Sequence, residues 1–596
     1  MRKLFSIKSK LLLTLCALAL SLFVAGCGGS DSAAPAGPVV LGSLAQPSAT
    51  AWKFAVMADT QWIGTDDGKN PNSVSVDIIQ QLNKQFINQG VKFVVQAGDV
   101  VDSYSAASLA THALFVQPLY NAGIGYFPLR GNHEGSAAAA TEFVRVFPQT
   151  QTGQMNATPA DALAVTNPDA AKQPSPAKTG AAFAVGANFS SPSTNFKGLS
   201  YSFDYNNARF VLLDQFTPAD SNNADGTPYN ISTTIAAQQT WISSTLSGRP
   251  AGTHAFTFSH KGIITENHVD SLFGADPSIN PAAQDAFIKS LAGNNVHYHM
   301  LGHDHMYDRS IITTTDGSSA RFQQILCASD SSKFYIPTFP ANDITYNLLG
   351  LGTVPPTKKL ARQTQIAQEL NTVGYYIFTV DGSNVTVDYY SAPVYPTYSS
   401  GEYLITATPA LNFTKRDTFG YSLKGQEFMV AQSMPYNSYV LDTFKTSAGG
   451  NNTTAKIIDG INESALFDFS GRSLVKAVDT GWSAKIAATA SDILTLWGMN
   501  SRLGSPQTDT YVLSLSYDST GLSSSQLQSG AFGLATKDGK GGWINAVNQN
   551  FGGLKKFVNG PYNSSYLLGT YGIDVSTNTA WAVVNYNSDF AVVNGI

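Results

Sequence analysis

The chain is short of cysteine, of charge, of histidine and of long apolar runs, and each shortage narrows what it can be. It holds 3 cysteines in 596 residues. Cys16 lies in an apolar N-terminal run and Cys27 just behind it, so a chain cleaved there keeps only Cys327 in its folded part and can form no intramolecular disulfide. Its stability must then come from a buried core. Charged residues are 13% of the sequence, against roughly 25% in an average globular protein. The net charge is -5 and no cluster of Lys and Arg stands out, which removes the electrostatic case for a nucleic-acid partner. Beyond the N-terminus no stretch reaches the ~18 uninterrupted apolar residues that a membrane-spanning helix needs.

The N-terminus has a different character. MRKLFSIKSK is basic, LLLTLCALALSLF is apolar, and Ala25-Gly26-Cys27 closes the run. The first two parts make an export signal. The small pair before a cysteine resembles the lipobox of bacterial lipoproteins, which implies removal of residues 1–26, a lipid on Cys27 and a membrane attached through it. Residues 27–50, rich in Gly, Ser, Ala and Pro, then read as a flexible tether. Gly28, where an Asp would retain such a protein at the inner membrane, is compatible with the outer membrane of a Gram-negative cell.

From Trp52 onward short apolar runs recur, each ending in a polar group: KFAVMAD (53–59), KFVVQAGD (92–99), YFPLRGNH (126–133), RFVLLD (209–214), AFTFSH (255–260) and HYHMLGHDH (297–305). Such runs read as strands buried on both faces. SVDIIQQLNKQFINQG (75–90) has apolar spacing near 3.6 and predicts a helix. Strands alternating with helices predict an α/β arrangement with ligands beyond the carboxyl ends of the strands. Residues 149–198, rich in Ala, Pro, Ser and Thr, read as a surface insertion, either a wall of a cleft or a passive excursion. GYYIFTVDGSNVTVDYYSA (374–392) predicts a hairpin around Asp381-Gly382, taken as the end of a first domain at residues 51–393. A linker at 394–410 and an all-β, sandwich-like domain at 411–596 follow, from runs such as YVLSLSYD (511–518) and AWAVVNYN (580–587). The last domain has no histidine and no assignable chemistry.

The polar strand ends collect Asp59, Gln61, Asp99, Asn132, His133, His260, His303 and His305. Four of the chain's 9 histidines fall between 297 and 305. Carboxylates, an amide and imidazoles are the donor set of a borderline divalent metal such as Zn, Mn or Fe. In MADTQ, AGD, RGNHE, FSH and GHDH the set resembles the calcineurin-like metallophosphoesterase superfamily, whose pattern is D-x-H, GD, GNH[ED], a lone His and GH-x-H, each after a strand. The GHDH region is similar to that of the purple acid phosphatases.

The resemblance covers residues 52–392 and implies a layered α/β sandwich with two divalent metal ions, Mn, Zn or Fe. It assigns Asp59 and His305 to the first metal, Asn132, His260 and His303 to the second, and Asp99 as the catalytic bridge between them. His133 is then the catalytic group that steadies the transition state or protonates the leaving oxygen. The implied activity is that of a phosphoric ester hydrolase, in which a metal-activated hydroxide attacks a phosphomonoester, diester or nucleotide. Asp102 stands where purple acid phosphatases have tyrosine, so ferric-tyrosinate chemistry is not expected. Gln61 is the departure from the pattern, since the family has histidine there. Gln61 either ligates weakly or points away and bonds only a metal-bound water. A rival reading is a surface adhesion lipoprotein with a residual metal site, and Gln61 is its best support.

Remaining residues carry plainer expectations. His297 and His299, two apart, share one strand face and serve as hydrogen-bonding scaffold. His112 and His268 are surface or local residues. Glu134 orients a ligand, Lys261 meets phosphate by charge, Arg130 and Arg309 form salt bridges, and Tyr307 stacks on a nucleoside or packs.

Overall fold

Two sheets face each other with helices outside both. The computed structural model describes residues 47–61, 74–155, 183–216, 234–268, 270–274, 280–335, 362–399, 402–407, 410–423, 426–431, 440–442, 454–459, 479–483, 485–497 and 507–596. The export signal, Cys27 and most of the tether lie outside the described residues. In the first sheet the strands Trp52–Met57, Phe93–Gln96 and Gly125–Pro128 run parallel. The hairpin Thr372–Asp381/Asn384–Pro393 joins antiparallel to the first of these. In the second sheet Ala208–Leu213, His254–Ser259, Tyr298–Leu301 and Arg321–Leu326 are parallel neighbours. All six runs that the sequence marks as strands are strands, and the predicted helix is Val74–Gln89.

Aromatic rings fill the space between the sheets. Phe54 lies 4.5 Å from Phe378 in its own sheet and 5.0 Å from both Phe210 and Phe256 of the other. Phe93 reaches Phe210 at 5.0 Å. Each such pair adds about 0.5–1.5 kcal/mol beyond the area it buries. On the outer faces, Val76, Ile79, Leu82 and Phe86 pack the first helix onto the first sheet, while Ile242, Leu246, Phe287 and Leu291 cover the second. Apolar spacing near 3.6 puts such residues on one helix face, so the α-β-β-α layering follows from the sequence pattern.

Three expectations about boundaries change. The first sheet does not end with the hairpin: Thr414–Ser422 pairs along Asn384–Pro393, and the sheet runs on through Gln507–Ser516 and Thr579–Tyr586 to Lys556–Asn559. Residues 394–410, expected as a linker, contain the strands Thr397–Ser399 and Glu402–Leu404 and bury Val394 and Ile405 in the first core. The expected insertion at 149–198 is partly core as well, since Gln149, Thr150, Phe183 and Phe196 are buried; residues 156–182 lie outside the described residues. The reason is common to all three. Short polar-flanked segments carry one or two apolar anchors, too few to raise a periodic signal but enough to dock a chain on an existing sheet.

The C-terminal part is strand-rich. A five-stranded sheet, including Phe532–Lys537 and Ser588–Asn594, shares a core of Leu513, Leu534, Ile573, Ala582, Phe590 and Val592 with the far strands of the long sheet. This is the sandwich-like arrangement expected from its turn spacing.

Arg309 ties the two halves together. Both it and Asp417 are buried, with Nη2 donating to Asp417 Oδ2 at 2.8 Å, Tyr307 donating to the same oxygen at 2.5 Å, and the guanidinium 4.3 Å above the Phe419 ring. Tyr307 also stacks on Tyr389 at 4.1 Å, so it packs and does not face a ligand. Removing Asp417 strands a buried cation, and Asp417→Ala should cost about 3–5 kcal/mol. A thermal or urea denaturation midpoint measures this, and adding Arg309→Met to the variant should recover part of the loss.

Candidate metal centre

The site forms where the parallel strands of both sheets stop. Asp59 follows Trp52–Met57, Asp99 follows Phe93–Gln96, Asn132 and His133 follow Gly125–Pro128, His260 follows His254–Ser259, and His303 and His305 follow Tyr298–Leu301. Backbone bonds stitch these loops to one another: Asp59 N to Gly98 O at 3.1 Å, Gln61 N to Asp99 O at 2.9 Å, and Gly302 N to His260 O at 3.0 Å.

Three candidate ligand groups result among the described residues; one, of His268, His303 and Asp304, lies to the side, and the other two share one member. Asp99, His260 and His303 bring donor atoms together on one side, and Asp59, Asp99 and His305 on the other. Asp99 Oδ2 lies 3.1 Å from His260 Nε2, which is itself 3.0 Å from Asn132 Oδ1. His305 Nε2 is 3.8 Å from Asp59 Oδ1. Two of the three imidazoles are aimed from behind, whereas His303 Nε2 lies 3.3 Å from Asp270 Oδ1. His260 Nδ1 meets Ala97 O at 2.9 Å and His305 Nδ1 meets Lys333 O at 3.0 Å, which turns both Nε2 atoms toward the carboxylates. Burial pushes His303 down to about 3 and His305 well below its ordinary value, so both stay neutral with a lone pair to offer.

The backbone is strained where it presents these groups. Among the described residues, positive φ occurs at seven non-glycine positions outside the site, six of them asparagine, and at Asp59, Gln61, Asp99, His303 and His305 within it. Left-handed backbone at a non-glycine residue costs roughly 1–3 kcal/mol and persists where surrounding structure enforces it. The glycines before the ligands have a packing reason. A Cβ on Gly98 would enter the His260 ring, one on Gly131 would overlap the Asp99 carboxylate, and one on Gly302 would sit 2.5 Å from Asp59 Oδ2. The GD, GN and GH pairs are therefore close-approach requirements.

These residues fit a dication pair. Burial, and then the charge of Asp99, raises Asp59 well above the carboxylate range. Asp99 is held low against its burial by His260 and His133. Two desolvated carboxylates side by side favour a bound cation over two bare charges. Gln61 points into the site and not away from it. It is 2% exposed, its Nε2 lies 3.4 Å from Asp99 Oδ2 and 3.2 Å from His133 Nε2, and its Oε1 is buried without a hydrogen-bond partner. An orphaned acceptor of that kind is what a cation would satisfy.

His133 stands at the opening, 14% exposed at its side chain. Its Nδ1 donates to the Asp102 carbonyl, its backbone N donates to Asp99 Oδ1 at 3.2 Å, and its Nε2 faces Asp99 Oδ2 at 3.7 Å. The Asp102 side chain is taken by Lys333 Nζ at 2.6 Å. Glu134 accepts from Val101 N at 2.8 Å and Gly131 N at 2.9 Å, so it braces the loops of Asp99 and Asn132. Burial, with Asp99 nearby, pushes it up to about 8.

Other residues fall differently from their expectations. Lys261 is 1% exposed, pairs with Asp270 and lies over the Phe216 ring, so its charge is spent inside the protein. His112 is buried and bonds Tyr126 OH at 2.9 Å. It sits on an inward helix face that its polar character concealed. His299 is scaffold, with its two nitrogens 2.9 Å from Thr257 Oγ1 and 2.8 Å from Ser259 Oγ. His297 precedes the strand and stacks on Tyr421 at 3.8 Å, whereas His299 packs on Phe287, so the two do not share a face. Arg130 is buried against Asp214 at 2.6 Å, as expected for a salt bridge. Sequence reasoning missed His268, which stacks on His303 at 4.2 Å and bonds Asp304 at 2.7 Å, and Asp330, which accepts from Ala58 N at 3.2 Å behind Asp59. Asp304, between the two histidines of GHDH, was the available clue to the first. Asp330 had none.

Residues 53–307 match the family model described as calcineurin-like phosphoesterase. No curated protein matches the chain. Among solved structures it is similar to the purple acid phosphatase PPD1 of yellow lupin (Lupinus luteus) seeds, at 15% identity over 58% of this chain and 52% of that one, with a TM-score of 0.34. The chain thus spans about half of the lupin protein's length. PhoD is similar at 16% identity, covering 64% of this chain and 71% of that one, with a TM-score of 0.37. A dimetal phosphatase from Danio rerio is similar at 14% identity over 56% and 95% of the two chains, with a TM-score of 0.31. The segment that matches the calcineurin-like phosphoesterase model runs from the first strand through the GHDH loop and so holds Asp59, Asp99, Asn132, His133, His260, His303 and His305.

Proposed function

We propose that the chain hydrolyses phosphate esters of small molecules or nucleotides at this centre, with Asp59, Gln61 and His305 holding one divalent ion, Asn132, His260 and His303 a second, and Asp99 both. The observation that carries the reading is the sharing of Asp99 between two buried ligand groups. Two ions so held would polarise a phosphoryl oxygen and lower the pKa of a water between them. The protein's own part is positioning and proton handling. His133 keeps one proton at Nδ1 through the Asp102 carbonyl, which leaves Nε2 to carry the proton given to the leaving oxygen. Asp99 Oδ2 faces that nitrogen at 3.7 Å. The exposed side of the ring meets the substrate, and the buried ligands exclude bulk water behind it. The adhesion reading loses its main support, because the buried Gln61 faces Asp99 and His133 within the site.

The site residues, the lipid on Cys27 and an exported location at the outer membrane all belong to this proposal. The N-terminal pattern of basic run, apolar run and Ala25-Gly26-Cys27 supports the last two.

Metal content and turnover measured together test the centre. The protein should retain two equivalents of metal and hydrolyse p-nitrophenyl phosphate or its bis-ester, and a chelator should abolish turnover. His133→Ala should keep both metals and lose about 10²–10⁴-fold in kcat. Asn132→Ala should lose one metal equivalent. Full metal content with undiminished turnover in both variants would sink the assignment. Gln61→His, which offers imidazole in place of an amide, should raise metal retention on dialysis at the Asp59 side; lower retention would place the Gln61 oxygen outside the coordination set. Cys27→Ser should move the protein from the membrane to the soluble fraction of cells, and unchanged partitioning would refute the anchor.

A further inference from the structure

At the far end of the long sheet, two loops leave leucines in the open. Leu554 is 86% exposed and Leu567 78%, with Phe551 beside them at 40%. They form one patch. Gly553 abuts the Leu568 carbonyl and Gly569 abuts Leu554, and Lys556 N donates to Gly569 O at 3.1 Å. The parallel strands Lys556–Asn559 and Thr570–Asp574 both begin here, so both loops emerge at one edge. The platform is firm. Asn585 Oδ1 accepts from Phe551 N at 2.9 Å and its Nδ2 donates to Phe551 O at 3.1 Å. Tyr566 stacks on the buried Trp581 at 5.4 Å. Rigid exposure of two leucines is a standing hydrophobic cost that solution does not offset.

The electrostatics say what covers the patch. Residues 551–573 contain Lys555 and Lys556 and no Asp, Glu or Arg, a local charge of +2 in a chain of net charge -5. Lys555 and Lys556 flank Leu554, are exposed, and have no ion-pair partner among the described residues; Lys555 lies over the Tyr571 ring at 5.6 Å. Apolar tips flanked by lysines and backed by tyrosines match the layering of a bilayer surface, with acyl chains beneath anionic headgroups. We propose that the loops 551–555 and 565–569 are a membrane-docking surface, in which Leu554 and Leu567 enter the interface of an anionic lipid bilayer and Lys555 and Lys556 meet its headgroups. This surface lies in the strand-rich C-terminal part and does not depend on the metal centre.

The test uses the full chain carrying Cys27→Ser, so that no lipid chain contributes, with and without Leu554→Ser and Leu567→Ser. Co-sedimentation is measured with phosphatidylcholine vesicles lacking or containing phosphatidylglycerol, at low and high salt. The parent should bind phosphatidylglycerol vesicles in a salt-sensitive way, and the leucine pair should weaken binding by at least about tenfold. Replacing Lys555 and Lys556 with Ala should remove the preference for phosphatidylglycerol, by roughly fivefold per lysine. Both leucines are exposed, so an unchanged melting temperature in the variant confirms that folding is not at issue. Equal binding by parent and leucine variant, or binding by neither, overturns the proposal. A leucine variant that turns a dimer into a monomer while neither protein binds vesicles assigns the patch to a second copy of the chain and overturns it equally.

Discussion

Everything in the first half of the protein is arranged so that one carboxylate, Asp99, can face two ligand groups at once. Its Oδ2 has His260 at 3.1 Å and Gln61 at 3.4 Å, and its Oδ1 takes the backbone N of His133. Reaching that position requires a left-handed residue directly after the strand and a glycine at 131 whose absent side chain leaves room for the carboxylate. Asp59, Gln61, His303 and His305 bear the same kind of backbone. Five such residues sum to several kcal/mol at about 1–3 each. The two parallel strand sets and the interlocked phenylalanines between them are stiff enough to hold it.

The site was legible because its chemistry is local in sequence. A ligand at the end of an apolar run shows in five or six letters, and glycine before it reports a crowded neighbour even without a structure. The strand order and the α/β layering were legible for the same reason, since buried parallel strands leave continuous apolar runs. What escaped were residues whose role depends on a distant partner. Asp330 supports the loop of Asp59 across a gap of 272 positions. Lys261 reads as a free cation until Asp270 is seen against it. His112 reads as a surface or local residue, yet it ends in the core, where it finds the Tyr126 hydroxyl. That the first sheet continues past the hairpin was not legible either, because Thr414–Ser422 pairs with a strand earlier in the chain.

The histidines of the site differ in depth. The imidazoles of His260, His303 and His305 are buried and held in one orientation, as ligands must be. His133 is partly exposed, and its Nδ1 is occupied by a backbone carbonyl, which leaves one ring nitrogen facing the site. Burial thus gives four chemically identical rings two different environments.

The unbroken long sheet has a consequence for how the molecule can be divided. Asn384–Pro393 is a ten-residue strand whose outer edge is covered by Thr414–Ser422. A chain ending near residue 400 would expose that edge as a row of unpaired amides and carbonyls, the template on which copies of a protein stack into aggregates. The half that carries the candidate metal centre is therefore not a detachable module, and the C-terminal half acts toward it as an intramolecular guard against self-association.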